Sequence, residues 1–424
     1  MAFQPPKGTR DFLPNDMKRR RWLFDIGRRV FDKYGFEEVV TPAFESMELL
    51  TAKGVIGDAS VKDIYRFEDK SGRKLGLRFD LTAPIARIVA ANRGLAKPLK
   101  WCYNFAPVWR YEDVTKGRYR EFYQSGVEVI GSSEPVADAT VVKLVIDYLL
   151  AIGISDFVIR VNSRKVLDLL CDKLKISKEK QESVLRIIDK LEKQGKDTVE
   201  KELSNYISNE QIKSLLNFME MNLDEAKNYL NANTLDVENV LNCIFGYYRK
   251  YIQFAPSIAR GLDYYNGFIF EVIINKYKEL GSVAGGGRYD NLIELYGGPK
   301  TPATGVGIGV ERLLEVIEKE NLYEKAIEKT KAMFVYIAPV SAFERPKAFE
   351  LEDVLRSNGF NCETDLLVRG LSQQLRYASS RGADIVLILG KKDLDVGAVT
   401  LRDMKDGSEL KVELKNLVDV LKKQ

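Results

Sequence analysis

The stretch that decides the fold is WRYEDVTKGRYREFYQSGVEVI, residues 109–130. Its β-rich halves flank a short Lys-Gly turn, so it is predicted to form two paired strands. Alternate residues of a strand share a face, and on the second strand Phe122, Gln124, Gly126 and Glu128 therefore point the same way. A face that carries a ring, an amide and a carboxylate is poorly suited to an apolar core.

Two interpretations of this hairpin remain open on its own residues. The guanidinium groups of Arg110 and Arg118 suit phosphate oxygens, while Phe122 offers a plane for stacking, so the hairpin can hold a flat anionic ligand. Alternatively, it is a solvated surface hairpin with ion pairs between its strands. The segment alone does not separate the two.

Composition sets the limits for the rest of the chain. Its 424 residues predict two or three domains, and 45% hydrophobic with 30% charged residues is typical of globular proteins. A net charge of only +4 means that any polyanion must meet a local patch. No apolar run is long enough to span a membrane, and the start MAFQPPKGTRDFLP lacks the core of a signal peptide. We therefore expect a cytoplasmic protein without a membrane partner.

Cysteine and histidine usage exclude several kinds of chemistry. The four cysteines are scattered without CxxC spacing, which favours a reducing compartment and argues against a zinc site. The chain contains no histidine at all, which removes the usual general base and the usual metal ligand. No metal site built from His or Cys is expected, and a Ser-His-Asp enzyme is excluded in its common form.

The chain divides into a β-rich part, a helical part and a second α/β part. A helix is predicted over 16–34 and another over about 136–152, with β segments at 75–81, 103–112, 119–130 and 156–162. From 164 to 245 the sequence is rich in Lys and Glu with apolar residues at helical spacing, which indicates a helical insertion. Strand signals resume at 268–274, and a strand–helix rhythm after about 331 predicts a small α/β domain with a mostly parallel centre.

Four further segments carry candidate site residues. In LRFDLTAPIAR (77–87), Asp80 and Thr82 would share one face of a strand and suit an ammonium group, although a buried Asp at a strand end is the commoner meaning. RGLDYYNGFIFEV (260–272) places Arg260 before two tyrosines, although in isolation an ordinary loop ion pair is the commoner meaning. AGGGRYD (284–290) lets backbone approach a ligand, or forms a bulge. GVGIGVERL (305–313) alternates glycines at spacing two, which leaves one strand face bare beneath Arg312 and does not fit GxGxxG.

Together, the order and spacing of these segments resemble the class II aminoacyl-tRNA synthetases, and specifically the histidyl-tRNA synthetase family. GFEEVVTPAFE, with Pro42, resembles the first, dimer-forming class motif. WRYEDVTKGRYREFYQSGVEVIG resembles the second and GVGIGVERL the third. RGLDYY and GGRYD resemble the two signatures that separate the histidine enzymes from their class relatives. The resemblance covers essentially the whole chain.

The resemblance implies an architecture. It predicts an α+β catalytic domain with a central antiparallel sheet of the class II synthetase type, formed by residues 1–163 and 246–320. A helical insertion over 164–245 would interrupt it. A linker at 321–331 would lead to an anticodon-binding α/β domain at 332–424. The alternative for this last domain is a role in interaction or dimerisation.

It also implies an activity, namely activation of histidine by ATP and transfer of histidine to the 3′ end of its tRNA. The partners would be histidine, ATP with Mg²⁺, this tRNA and a second copy of the chain. By similarity, the catalytic residues would be Arg110 and Arg260, both on the α-phosphate and at the bound histidine. The ATP site would consist of Arg110, Glu112, Arg118, Phe122 and Arg312. The histidine site would add Asp80, Thr82, Gln124, Glu128, Tyr264, Tyr265 and Tyr289.

The sequence departs from the family pattern at a few positions. Relatives often carry histidine where this chain has Tyr111 and Tyr123, so neither position can require imidazole chemistry. Bacterial relatives often place Gln at the position of Thr115, where it contacts the acceptor end of the tRNA. How this chain reads that end is therefore left open.

Two other functions are compatible with much of the pattern. One is the regulatory subunit that partners ATP phosphoribosyltransferase, a class that usually lacks the arginine of RGLDYY and the C-terminal domain. The other is a module that senses uncharged tRNA, in which we expect the ATP-site arginines to be degraded. This chain retains Arg110, Arg118, Arg260 and Arg312, and it continues to residue 424.

Overall fold

The computed structural model describes residues 3–52, 61–115, 117–259, 264–327 and 332–423. The chain forms two compact units, Met1–Tyr323 and Glu324–Gln424. The division falls within the stretch 321–331, and the finer domain limits given above stay predictions. Within the described ranges, no helix has the length and apolar character needed to cross a bilayer.

The first unit is built on an eight-stranded sheet with the order β1-β5-β6-β11-β10-β9-β7-β8. Its strands are β1 (Glu37–Glu38), β5 (Leu99–Trp109), β6 (Glu121–Ile130), β7 (Phe157–Ser163), β8 (Ile252–Phe254), β9 (Phe268–Ile274), β10 (Ala284–Arg288) and β11 (Ala303–Gly309).

The predicted antiparallel sheet is mixed, and the expectation was wrong on this point. The central pairs are antiparallel, but β1 pairs parallel with β5 and β7 pairs parallel with β8. Parallel neighbours need a long crossover connection, and the helical insertion supplies one between β7 and β8. The antiparallel centre nevertheless holds the hairpin β5–β6 beside the glycine-rich β11.

A smaller sheet, β2 (Phe44–Ser46), β4 (Lys74–Leu77) and β3 (Arg66–Glu68), leads into helix α3 (Thr82–Ala91). The strand predicted over 75–81 ends at Leu77, so Asp80 and Thr82 do not share a strand face, and that expectation was wrong. A carboxylate oxygen of Asp80 accepts from the backbone N of Ala83 at 3.3 Å. This local hydrogen bond from the first turn of α3 to a residue just before the N-cap Leu81 favours a helix start over continued strand.

Helices pack against the large sheet in two cores and form the insertion. Helix α1 (Pro14–Lys33) and α4 (Pro135–Ile152) pack in one core with the insertion helices. The remaining helices of the first unit are α2 (Met47–Leu50), α5 (Arg164–Lys173), α6 (Lys178–Ile188), α7 (Leu191–Gln194), α8 (Lys196–Leu203), α9 (Asn209–Met219), α10 (Leu223–Leu230), α11 (Asp236–Leu241), α12 (Leu292–Leu295) and α13 (Val310–Lys319), followed by α14 (Leu322–Ile327) across the division.

The second unit has a five-stranded sheet with the order β13-β12-β14-β15-β16. Strands β13, β12 and β14 pair parallel, whereas β14–β15 and β15–β16 pair antiparallel, in line with the predicted α/β domain. The strands are β12 (Phe334–Pro339), β13 (Asn361–Thr364), β14 (Ile385–Leu389), β15 (Ala398–Asp403) and β16 (Glu409–Glu413); the helices are α15 (Arg345–Ser357), α16 (Leu371–Arg381), α17 (Lys391–Leu394) and α18 (Leu417–Leu421).

Candidate active site

The floor of the site is the shared face of β6 and β11. In register, Gln124 lies opposite Gly309, Gly126 opposite Gly307 and Glu128 opposite Gly305. A Cβ on Gly305 would lie 1.6 Å from a carboxylate oxygen of Glu128. The glycines of β11 therefore leave space on this strand face, and at Gly305 the carboxylate of Glu128 occupies it.

Glu128 is the most deeply buried acid of this face, with 1% of its surface exposed. Its carboxylate accepts hydrogen bonds from the hydroxyl of Thr82 at 2.8 Å and from that of Tyr289 at 2.5 Å. Burial raises the pKa of Glu128 to about 8, although the two hydroxyl donors oppose the rise. Three segments distant in the sequence thus converge on one carboxyl group.

Asp80 is a second buried acid beside it. The hydroxyl of Tyr264 donates to Asp80 at 3.5 Å, and burial raises the pKa of Asp80 to about 6. Tyr264 makes edge contacts with the rings of Tyr265 and Tyr289, with centroids 4.9 and 5.7 Å apart. Two carboxyl groups in an aromatic enclosure suit a small ligand that brings positive charge, because such a ligand stabilises their ionised forms.

We expect Glu128 to make the ligand-free protein less stable as the pH rises. Its folded-state pKa lies above the unfolded value, so its contribution is fully present below about 4.5 and is lost as the pH rises through about 8. Thermal unfolding midpoints of the natural protein should fall between pH 5.5 and 8 more steeply than those of Glu128→Gln. One group can contribute up to roughly 1.4 kcal/mol per pH unit. Parallel midpoint curves for the two proteins would contradict the assignment.

The hairpin brings its aromatic and cationic residues to the edge of this pocket. The Arg110 side chain donates from Nε to the carbonyl oxygen of Phe79 at 3.0 Å, and its guanidinium lies 5.2 Å from the ring centre of Phe122. Arg118 pairs with Glu112 across the hairpin, which is the ion pair that the surface interpretation anticipated. The hairpin thus combines an internal ion pair with a face directed at the acidic pocket.

Arg312 approaches the turn of the hairpin from helix α13. It donates to the carbonyl oxygen of Ser282, and its Cγ lies 3.6 Å from the position that a Cβ on Gly117 would occupy. Gln124 extends from β6 toward Gly307, and its Oε1 is buried without a hydrogen-bond partner among the described residues. Arg260 lies outside the described residues.

Two other predicted features have a structural explanation. Arg288, after the three glycines, is buried and pairs with Asp138 at 2.5 Å, so it holds β10 to helix α4. Tyr111 and Tyr123 serve as planes for arginines: the guanidinium of Arg120 lies 3.9 Å from the centre of the Tyr111 ring, and that of Arg20 lies 5.1 Å from Tyr123. Aromatic surface is the shared requirement at both positions.

Tyr103, which no sequence pattern singled out, is buried directly beneath the site. It lies opposite Gly126, where a Cβ would be 2.4 Å from its hydroxyl oxygen, and that hydroxyl donates to the carbonyl of Val306 at 3.3 Å. The facing Gly is the signal that identifies it. Using that signal requires the register of β5 and β6, which shifts between Tyr103 and Ala106.

The arrangement offers an acidic pocket next to a cationic, aromatic edge. Such a site suits a cationic small molecule beside a nucleotide phosphate. Among the described residues there is no group of three His, Cys, Asp or Glu side chains placed to hold a metal ion.

Comparison with known proteins agrees with this geometry. A family model described as histidyl-tRNA synthetase matches residues 8–313, well over half of the chain. The chain belongs to the histidyl-tRNA synthetase family. A second model, described as an anticodon binding domain, matches residues 334–424.

Individual members of the histidyl-tRNA synthetase family match along nearly the full length. The chain is 38% identical to the histidine–tRNA ligase of Pyrococcus horikoshii over 430 residues, which cover 98% of each chain. It is 37% identical to that of Thermococcus kodakarensis over 429 residues, 97% of each. The crystal structure of histidyl-tRNA synthetase from Nostoc sp. PCC 7120 superposes with a TM-score of 0.82 at 28% identity and covers 100% of this chain and 99% of that one.

Proposed function

We propose that this chain is a histidine–tRNA ligase. It activates histidine with ATP to give histidyl-adenylate and pyrophosphate, and then transfers histidine to the 3′ end of its tRNA. The observation that carries the proposal is the similarity to curated ligases over 98% of the chain. The acidic pocket beside a cationic, aromatic edge supports it, because activation brings a cationic amino acid next to the phosphates of ATP.

The histidine pocket is formed by the buried acids and tyrosines. Asp80, Thr82 and Gln124 face the α-amino end, and the raised pKa of Asp80 leaves it largely ionised at neutral pH. Glu128, Tyr265 and Tyr289 surround the imidazole, with Tyr264 packed behind them. A pocket that hydrogen-bonds both ring nitrogens rejects isosteres that leave its buried groups unpaired.

The ATP site lies along the hairpin and the start of α13. Arg110 and Arg260 contact the α-phosphate, where fixed guanidinium groups stabilise the charge that develops on phosphorus. Phe122 and Arg312 enclose the adenine, and Glu112 lies near the base. Arg118 releases its ion pair with Glu112 and binds the terminal phosphates instead. Mg²⁺ arrives with ATP.

The transfer step proceeds without a protein histidine. The ribose hydroxyl of the tRNA attacks the carbonyl carbon of histidyl-adenylate and gives its proton to a phosphate oxygen; the ester forms as the acyl–phosphate bond breaks and AMP leaves. Residues 332–424 read the anticodon, and the protein acts in the cytoplasm.

Histidine-dependent exchange of pyrophosphate into ATP tests the proposal, followed by charging of the tRNA. Exchange should require histidine and should not respond to the other amino acids. A regulatory subunit or a sensor of uncharged tRNA would bind its ligand without exchange, and that result would overturn the proposal.

Dimer formation through the first motif is part of the proposal. Val40 is 86% exposed beside Pro42, and the exposed rings of Phe44 and Phe67 touch with centroids 5.9 Å apart. We expect Val40→Asp to weaken the dimer about a hundredfold, because it buries an unpaired charge. Sedimentation equilibrium measures this, with Val354→Asp, an exposed valine of the second unit, as the control. Equal dissociation constants for both variants would refute this interface.

A further inference from the structure

Residues 8–12, here called the N-terminal strap, lie along the hairpin at the candidate ATP site. The carbonyl oxygen of Gly8 accepts from the backbone N of Arg120 at 2.9 Å and of Glu121 at 3.3 Å. Gly8 has φ +85°, and a Cβ there would lie 2.6 Å from the Arg120 side chain. The strap therefore continues the backbone hydrogen bonding of the hairpin where β6 begins.

Arg10 connects the strap to two motifs at once. Its guanidinium lies 3.7 Å from the centre of the Tyr119 ring in the hairpin, and it pairs with Glu311 at the start of α13. The side chain of Arg10 is 32% exposed, whereas that of Glu311 is 4% exposed. A buried carboxylate requires partners of this kind.

Helix α1 completes the same cluster. Arg20 donates to Glu311 at 2.5 Å, and its guanidinium lies 3.6 Å from the ring centre of Phe12. Phe12 in turn makes an edge contact with Tyr123 of β6, with centroids 6.0 Å apart. The strap thus bridges α1, β6 and α13.

The strap acts on positions next to the two residues proposed to enclose adenine. Glu311 directly precedes Arg312, so fixing the Glu311 carboxylate fixes the rotation of the first turn of α13 and the direction in which Arg312 projects. Phe122 lies two residues after Arg120, whose backbone N donates a hydrogen bond to the carbonyl oxygen of Gly8. A residue that does not touch the ligand can therefore set the distance between Phe122 and Arg312.

We propose that the N-terminal strap aligns the adenine-binding residues Phe122 and Arg312, with Arg10 as the positioning residue. The inference rests on the proposed function, since it concerns ATP at that site. At metal sites, the groups that orient the ligands account for about 10–100-fold in affinity or activity, and we expect an effect at the lower end of that range here.

The experiment measures histidine-dependent pyrophosphate exchange by Arg10→Ala. We expect KM for ATP to rise about tenfold, and KM for histidine to stay within about twofold. Arg10→Lys, which keeps the charge beside Glu311, should recover part of the loss. The control is Arg19→Ala, since Arg19 forms a surface ion pair with Glu318 at 3.5 Å that joins α1 to α13 without involving the strap.

The outcomes separate the inference from the proposed function. An active natural protein whose Arg10→Ala variant keeps its KM for ATP overturns the inference alone, as does an equal rise in both KM values. Tyr119→Leu removes the hairpin ring that Arg10 contacts and should raise KM for ATP in the same selective way; failure there also overturns the inference. A natural protein without exchange activity overturns the proposed function and this inference with it.

Discussion

Glu128→Gln is expected to lower kcat/KM for histidine about a thousandfold, with KM for ATP changed less than about threefold. The carboxylate accepts from Thr82 and Tyr289, one hydroxyl on each oxygen. Bound histidine brings the positive charge that favours the ionised acid, whereas a glutamine offers one acceptor oxygen and one NH₂ donor, so one hydroxyl loses its acceptor. In a fully buried pocket that mismatch is not relieved by water.

Pyrophosphate exchange at varied histidine and ATP concentrations checks this prediction. Glu121→Gln is the matched control, because Glu121 lies on the same strand but on its other face. The control should retain kcat/KM for histidine. If Glu128→Gln raises KM for ATP as much as KM for histidine, Glu128 does not belong to the histidine pocket.

Those parts of the site that depend on strand periodicity could be predicted from the sequence. Alternation along β6 places Gln124, Gly126 and Glu128 on one face, and spacing of two along β11 places its glycines opposite them. Both patterns are local consequences of strand geometry. The packing of Glu128 against Gly305 follows once the two strands pair.

Features that depend on competition or on distant contacts could not be predicted. Apolar alternation that continues past Leu77 predicts a strand at Asp80, but the hydrogen bond of Asp80 to the first turn of α3 prevails. The position of Tyr103 depends on an irregular register in β5. Arg10 meets Glu311 across 301 positions of sequence, a distance over which no periodicity gives information.

Gly305→Ala is expected to disrupt the same pocket by a steric route. A methyl group there would lie 1.6 Å from a carboxylate oxygen of Glu128 and 2.7 Å from the carbonyl of Val127. Since Glu128 is held by two hydroxyls, it cannot withdraw without losing them. We expect KM for histidine to rise at least about a hundredfold and the unfolding free energy to fall by about 1–3 kcal/mol.

The control for stability is Gly285→Ala on the neighbouring strand β10. A Cβ at Gly285 would meet a single atom within 4 Å, the carbonyl oxygen of Phe270 at 3.7 Å. The free energy of unfolding should therefore change by less than about 0.5 kcal/mol. Adding Glu128→Asp to Gly305→Ala shortens the acid by one methylene group and should recover part of the lost stability, measured by urea unfolding. If Glu128→Asp lowers the unfolding free energy equally in the natural protein and in Gly305→Ala, the two side chains do not compete for the same space. The proposed reason for glycine at position 305 then fails.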